Sequence, residues 1–201
     1  MLHQEICSCS KCFAEPNALK DAEKLAEETN DHHICCGFKM CLLGHGNYDA
    51  RVAFIGEAPS LAPTGNRMVF GHKSFPVFFK LLEELDLKFE DVYLTNLVKC
   101  YLPHAQTGEI VNCDVYLERE IRVLSPPICI LFGQKVVKHF FPEASIWGEK
   151  HTRSGVFGRI YLTLPHPMLC VYRPEMKETY FKTVRKVKRL MDQKSLEFWQ
   201  K

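Results

Sequence analysis

Residues 51–60 read RVAFIGEAPS: four apolar residues, Val52 to Ile55, then an abrupt change to glycine, glutamate, alanine and proline. A short apolar run bounded by turn residues is the pattern of a strand buried on both faces. The pattern recurs in DVYLTNLV (91–98), PICILFG (127–133) and RIYLTLPHP (159–167). Helical spacing fills the intervals, in FPVFFKLLEELDL (75–87), CDVYLEREIRVLS (113–125) and QKVVKHFF (134–141). KETYFKTVRKVKRLMDQ (177–193) closes the series as a helix. Four such strands alternating with helices predict an α/β fold: three layers, α/β/α, around a central four-stranded parallel sheet.

In open sheets of this kind, ligands bind beyond the carboxyl ends of the strands. Those ends here are GEAPS, TN, FGQ and LPHP. Three of them deliver a side chain suited to polar chemistry: Glu57, Asn96 and His166. Each has an ordinary structural use as well, as a turn residue, a cap or a buried imidazole. Three at one edge form a candidate site.

The chain has 201 residues, 46% hydrophobic and 25% charged, as expected for a single globular domain over 1–201. Residues 1–47 read as a Cys-rich opening segment and 48–194 as the α/β core. PNALKDAEKLAEETND (16–31) adds a helix within the opening segment. No apolar run approaches the ~18 residues of a membrane span. The amino terminus has no signal-peptide pattern. The chain is therefore read as cytoplasmic, or nuclear if the source is eukaryotic.

Net charge is +2, but residues 173–201 hold nine Lys or Arg against four Asp or Glu. That segment carries +5 and the rest −3, an asymmetry that suits an anionic partner or a solvated helix face. Of the ten cysteines, Cys7, Cys9, Cys12, Cys35, Cys36 and Cys41 crowd the first 41 residues, and Cys100 and Cys113 form a later pair. A reducing compartment disfavours disulfides, so metal ligation is the first reading of these clusters. Cys129 and Cys170 lie alone in apolar runs and read as packing residues.

The chain resembles the uracil-DNA glycosylase superfamily, most closely its iron–sulfur-containing family 4, over roughly residues 44–190. GHGNYDARVAFIGEAPS resembles the first motif and its approach, NRMVFGHKS the R-P-F-x-G stretch, and VYLTNLVKC the T-N-x-V-K-C motif. CDVYLEREI resembles the C-x-x-x-L helix opening and LPHPMLCVYR the H-P-x-x-x-x-R motif. Each motif alone is common; five in order and spacing are specific.

The resemblance implies a DNA repair hydrolase, a monofunctional glycosylase that removes uracil from DNA and leaves an abasic site. Glu57 would orient the attacking water and oppose the developing sugar cation. Asn96 would read the Watson–Crick edge of the flipped base, and His166 would donate to the uracil carbonyl. Phe70 would stack on the base, although alignment on Gly71 puts Val69 at the family's phenylalanine. The backbone of Ala58, Pro59 and Ser60 would line the pocket floor. Leu169 would plug the vacated duplex and Arg173 contact a phosphate. No lysine is expected at a strand end, which excludes Schiff-base chemistry.

Two features depart from the family's pattern. No acidic residue follows in GEAPSLAPTGN, and Ser60 replaces the last glycine. This favours a slow enzyme, or a module that binds uracil or abasic DNA without turnover. Specificity for another deaminated base, such as hypoxanthine, is a further alternative. The second departure is among the cysteines. Cys100 and Cys113 match two ligands of a [4Fe–4S] cluster, with a shorter loop than usual. Cys9 and Cys12 have the C-x-x-C spacing of the other two, while Cys35, Cys36 and Cys41 lie nearer the glycine segment. Four thiolates would also hold zinc. An iron–sulfur protein is expected to purify brown, with broad absorbance near ~400 nm; a colourless protein that contains zinc would reverse the assignment.

Overall fold

The computed structural model describes residues 42–61, 67–100, 107–152 and 159–198. Cys9, Cys12, Cys35, Cys36, Cys41 and the helix expected over 16–31 lie outside them.

All four expected strands form: β2 (Val52–Gly56), β5 (Val92–Asn96), β6 (Ile128–Phe132) and β8 (Ile160–Leu164). Every residue of all four is buried, which explains why none shows polar–apolar alternation. They pair in parallel as β5–β2–β6–β8. The expected count of four is corrected to six. β1 (His45–Gly46) adds antiparallel to β5, and β7 (Lys150–Thr152) adds antiparallel to β8. These edge strands have two and three residues, too few to produce a readable period. β1 also falls inside 1–47, so the sheet begins before residue 48. A separate ribbon pairs β3 (Ser60–Leu61) with β4 (Arg67–Met68).

The helices are α1 (Phe75–Glu84), α2 (Thr107–Leu124), α3 (Gln134–Phe140), α4 (Leu169–Tyr172) and α5 (Lys177–Phe198). Phe54, Ile130 and Leu162 pack with Phe78, Leu81 and Leu82 of α1 and with Tyr180, Val184 and Val187 of α5. Ala53, Ile55, Cys129 and Leu131 pack with Leu117 and Ile121 of α2 and with Val136 and Val137 of α3. Successive strand residues thus feed opposite faces, and the three layers follow.

α1 ends earlier than the 75–87 pattern. Asp86 takes φ 55°, its N–H bonds Glu83 O at 3.1 Å, and Leu87 N–H bonds Leu82 O at 2.9 Å. That is a Schellman closure with Asp in the left-handed position usually held by glycine. Leu162 lies at the middle of β8, between β6 and β7, with no exposure. Leu162→Ala is expected to cost about 2–5 kcal/mol in urea unfolding, whereas Val123→Ala, at 79% exposure, should stay within about 0.5 kcal/mol.

Candidate functional site

The chain runs from β2 to β5 on one side, then back across to β6 and β8 on the other. The change of direction opens a crevice between the loops after β2 and β6, where ligands of such sheets bind. Backbone bonds extend the ladders into these loops. Leu97 N–H bonds Gly56 O and Val98 N–H bonds Glu57 O, each at 2.8 Å. Gly133 N–H bonds Leu164 O at 2.9 Å. The strand ends are therefore held to one another before any side chain is considered.

Asn96, Phe70 and His166 converge on this edge. Asn96 is 2% exposed; its Nδ2 donates to Val69 O at 2.9 Å, while its Oδ1 has no hydrogen-bond partner among the described residues. A Cβ added to Gly56 would come within 2.5 Å of Asn96 Oδ1 and 2.7 Å of Phe70 Cε1. Glycine at 56 is thus what lets these two groups meet. The Phe70 ring stands edge-on to His166, with centroids 6.0 Å apart, and Phe132 does the same at 5.8 Å. Phe70 thus places its ring beside Asn96 and His166, while Val69 turns its carbonyl to the Asn96 amide. An orphaned buried acceptor is costly, and its natural complement is an N–H from a ligand.

His166 is partly exposed, yet enclosed enough that burial pushes its pKa down to about 4. Its Nδ1 accepts the Met168 N–H at 3.1 Å, which leaves Nε2 as the protonated donor of a neutral ring. The tight turn after β6, with Gly133 at φ 84°, passes close to it: a Cβ there would lie 3.6 Å from His166 Cβ.

Glu57 follows β2, and its Oε1 accepts from Lys135 Nζ at 2.7 Å. This corrects the expectation of no lysine at a strand end. Lys135 sits on the first turn of α3, which folds back over the end of β6 and brings the ammonium to the glutamate. Both side chains are about half-exposed, so the pair contributes roughly 0–1 kcal/mol to stability. Ala58 is partly exposed beside Glu57, and Pro59 is buried. Ser60 Oγ, which would lie 3.4 Å from a Cβ on Gly71, is buried without a partner.

Beneath Asn96 lies a polar network that the strand pattern did not reveal. Lys99, with no exposure, donates to Glu120 Oε2 at 2.5 Å, Thr95 Oγ1 at 2.7 Å and the Asn96 carbonyl at 2.8 Å. Glu120, 5% exposed, also accepts from Tyr93 OH and Thr95 Oγ1, each at 2.7 Å, and from Gly44 N–H at 3.0 Å. Burial alone would raise the Glu120 pKa, but the Lys99 charge and these hydroxyls hold it below the usual carboxylate range. The available signal was a lysine inside the apolar TNLVKC run and a glutamate on the inward face of α2.

Cys100 and Cys113 are both buried, and Cys113 is close enough to Lys99 to act on its charge. Two buried thiols, one following β5 and one on α2, suit half of a metal site with a cation nearby to offset thiolate charge. Among the described residues no group of three or more His, Cys, Asp or Glu could hold a metal; the other two expected ligands, Cys9 and Cys12, lie outside them. Leu169 opens α4 directly after His166 and is partly exposed. Arg173, which caps α4, is exposed. Tyr172 between them is 77% exposed and was not singled out from the sequence. On α5, Lys182, Arg185 and Lys188 pair with Glu178, Glu84 and Asp192, and Lys186 bonds the Trp147 carbonyl. Two of these pairs lie inside the +5 segment and are already counted in its charge, so among the described residues it is offset from outside by Glu84 and by Asp86, which also faces Lys188. Among the described residues, no helix is long and apolar enough to cross a membrane.

The model of the uracil DNA glycosylase superfamily matches residues 43–188, the span that holds all of this geometry. The chain belongs to the uracil DNA glycosylase superfamily. Among known proteins it is 32% identical over 175 residues to the Type-4 uracil-DNA glycosylase of Saccharolobus solfataricus, covering 79% of each chain. It is 27% identical over 165 residues to the Type-4 uracil-DNA glycosylase of Archaeoglobus fulgidus, covering 75% of this chain and 82% of that one. It is also 27% identical over 195 residues to that of Sulfurisphaera tokodaii, covering 84% of each. These relatives carry the name of the family that the five motifs resemble.

For this superfamily member the Lys99–Glu120 pair sets a measurable constraint. Glu120→Gln strands a buried ammonium and is expected to cost about 3–5 kcal/mol in urea unfolding. Replacing both partners, as Lys99→Met with Glu120→Leu, should recover a large part of that loss.

Proposed function

We propose that this chain is a DNA repair hydrolase that cleaves the N-glycosidic bond of uracil in DNA and leaves an abasic site. One observation carries the reading: a buried amide whose Oδ1 has no partner among the described residues, close to an aromatic ring that itself stands edge-on to a neutral histidine at the carboxyl edge of the sheet. Membership of the superfamily and the names of the relatives support it.

Uracil reaches such a site only when flipped from the strand. Its N3–H complements Asn96 Oδ1, and the remaining Nδ2 hydrogen complements O4. Cytosine has a lone pair at N3, which would face the same oxygen, so a fixed amide rejects it. Phe70 and the Ala58 backbone form the walls. As the bond to the sugar lengthens, negative charge gathers on the base, and the Nε2–H of His166 faces the O2 carbonyl. A neutral imidazole donates there without losing a proton to the departing base. Glu57 orients a water on the sugar and opposes its developing positive charge. Lys135 is engaged with Glu57 rather than presented to the sugar, so hydrolysis is the favoured route. Leu169, Tyr172 and Arg173 would meet the strand.

Cys100 and Cys113, with Cys9 and Cys12, would hold a [4Fe–4S] cluster whose role is structural, tying the opening segment to the sheet; zinc is the runner-up. The protein would act as a monomer in the cytoplasm, with the nucleoid, or in a nucleus. One observation favours the second reading, binding with little turnover: no acid follows GEAPS, so Glu57 has no second carboxylate to assist it.

The deciding measurement is alkaline cleavage of a uracil-containing oligonucleotide after incubation with the protein. Glu57→Gln and Asn96→Asp should each lower the single-turnover rate about 10²-fold or more, and His166→Ala about 10²–10³-fold. Because His166 is neutral above about 4, the wild-type rate should not fall as pH drops through the ordinary histidine range near 6.5. No cleavage by the wild type would sink the enzyme reading.

A further inference from the structure

We propose that Lys135 is a phosphate latch: at rest its ammonium closes on Glu57, and a phosphodiester beside the flipped nucleotide draws it away when DNA docks. The inference rests on the reading of this edge as a DNA-binding active site and adds a residue that the motifs did not include.

The location comes first. Glu57 follows β2 and Lys135 follows β6, so the 2.7 Å pair spans the crevice at the point where the chain reverses direction across the sheet. Any sugar presented to Glu57 passes this bridge. The electrostatics come second. An ammonium in contact with Glu57 cancels much of the field that the carboxylate would apply to a developing sugar cation, so the resting pair is a poor arrangement for hydrolysis. The carboxylate becomes effective when the lysine takes another anion. In a nucleic acid the available anion is a phosphate flanking that sugar.

Exchange is physically easy. Both side chains are about half-exposed, so the pair is neither locked by burial nor strongly favoured over solvation. Lysine is a point charge on a flexible four-carbon stem and can swing between partners. The α5 cations differ, since their described partners, Glu178, Glu84, Asp86, Asp192 and the Trp147 carbonyl, have no part in the proposed chemistry. Lys135 instead shares its anion with the proposed chemistry. The latch ties the exposure of a competent carboxylate to the arrival of a strand.

The test measures binding and excision separately. Binding is followed by anisotropy of a labelled single-stranded oligonucleotide carrying 2′-fluoro-2′-deoxyuridine, which resists cleavage, across a salt series. For Lys135→Gln the slope of log K against log salt is expected to become shallower by about 0.7, one phosphate's worth for a single strand. Affinity should fall roughly 3–10-fold, as one of several phosphate contacts is lost. Under excision conditions the half-saturation concentration should rise more than the rate falls, and Lys135→Arg should restore the slope. Glu57→Gln, which frees the lysine, should tighten binding with the slope unchanged. A Lys135→Gln protein with the wild-type slope and affinity overturns the latch. So does one that loses rate with no change in slope, because that would make the lysine a prop for Glu57 alone. If the wild type excises nothing while the slope still follows residue 135, the latch stands and the glycosylase reading falls.

Discussion

A fully buried ammonium is among the least favourable groups a fold can enclose, and this one encloses Lys99 three residues from Asn96. Its three hydrogens are met by a hydroxyl, a backbone carbonyl and a carboxylate. The carboxylate, Glu120, is in turn closed off by Tyr93, Thr95 and the Gly44 amide. Each group is costly without the others, so the cluster tolerates one arrangement. That arrangement joins four parts of the chain: β5, which ends at Asn96, the segment after it that carries Lys99, helix α2 and the residues leading into β1. The orientation of the amide at the site follows from it, because Lys99 holds the Asn96 carbonyl while Val69 holds the side-chain nitrogen.

From this anchor the division of labour at the strand ends can be understood. Asn96 is pinned from below and leaves one acceptor unspent. His166 is kept neutral by the aromatic walls around it, and its tautomer is set by a backbone amide. Glu57, by contrast, stands partly in solvent against an exposed cation. On the proposed reading, base recognition would use buried side chains, one of them with a spare acceptor, and the group facing the sugar would be an exposed, ion-paired one. Rigid recognition beside an exchangeable charge suits a site that must select first and react second.

Much of this was legible in the chain's order of residues. The four parallel strands, the helices between them and the polar residues at their ends all follow from apolar runs and turn chemistry. The choice of Phe70 over Val69 needed only the ring's position. Edge strands β1 and β7 were not legible, because two or three residues carry no period. Lys135 was missed because it lies on a helix, one turn past a strand, and linear proximity to a strand end was the criterion used. Lys99 and Glu120 sit 21 residues apart and reach each other only through the crossover. The basic carboxyl-terminal segment keeps its formal charge, although Lys182, Arg185 and Lys188 each face a carboxylate of the same fold.

What the sequence determined alone was periodicity and chemistry: which stretches must be buried on two faces, where they stop, and which functional groups appear at those stops. Burial patterns and turn preferences are local, and a one-dimensional string records them. The tertiary structure decided which charges meet. Whether Lys135 faces Glu57 or solvent, and whether Lys99 finds Glu120, depends on sheet order and helix placement. Those depend on packing summed over the whole core. Electrostatic partnership falls off with distance in space, not along the chain, and that distance exists only once the molecule has folded.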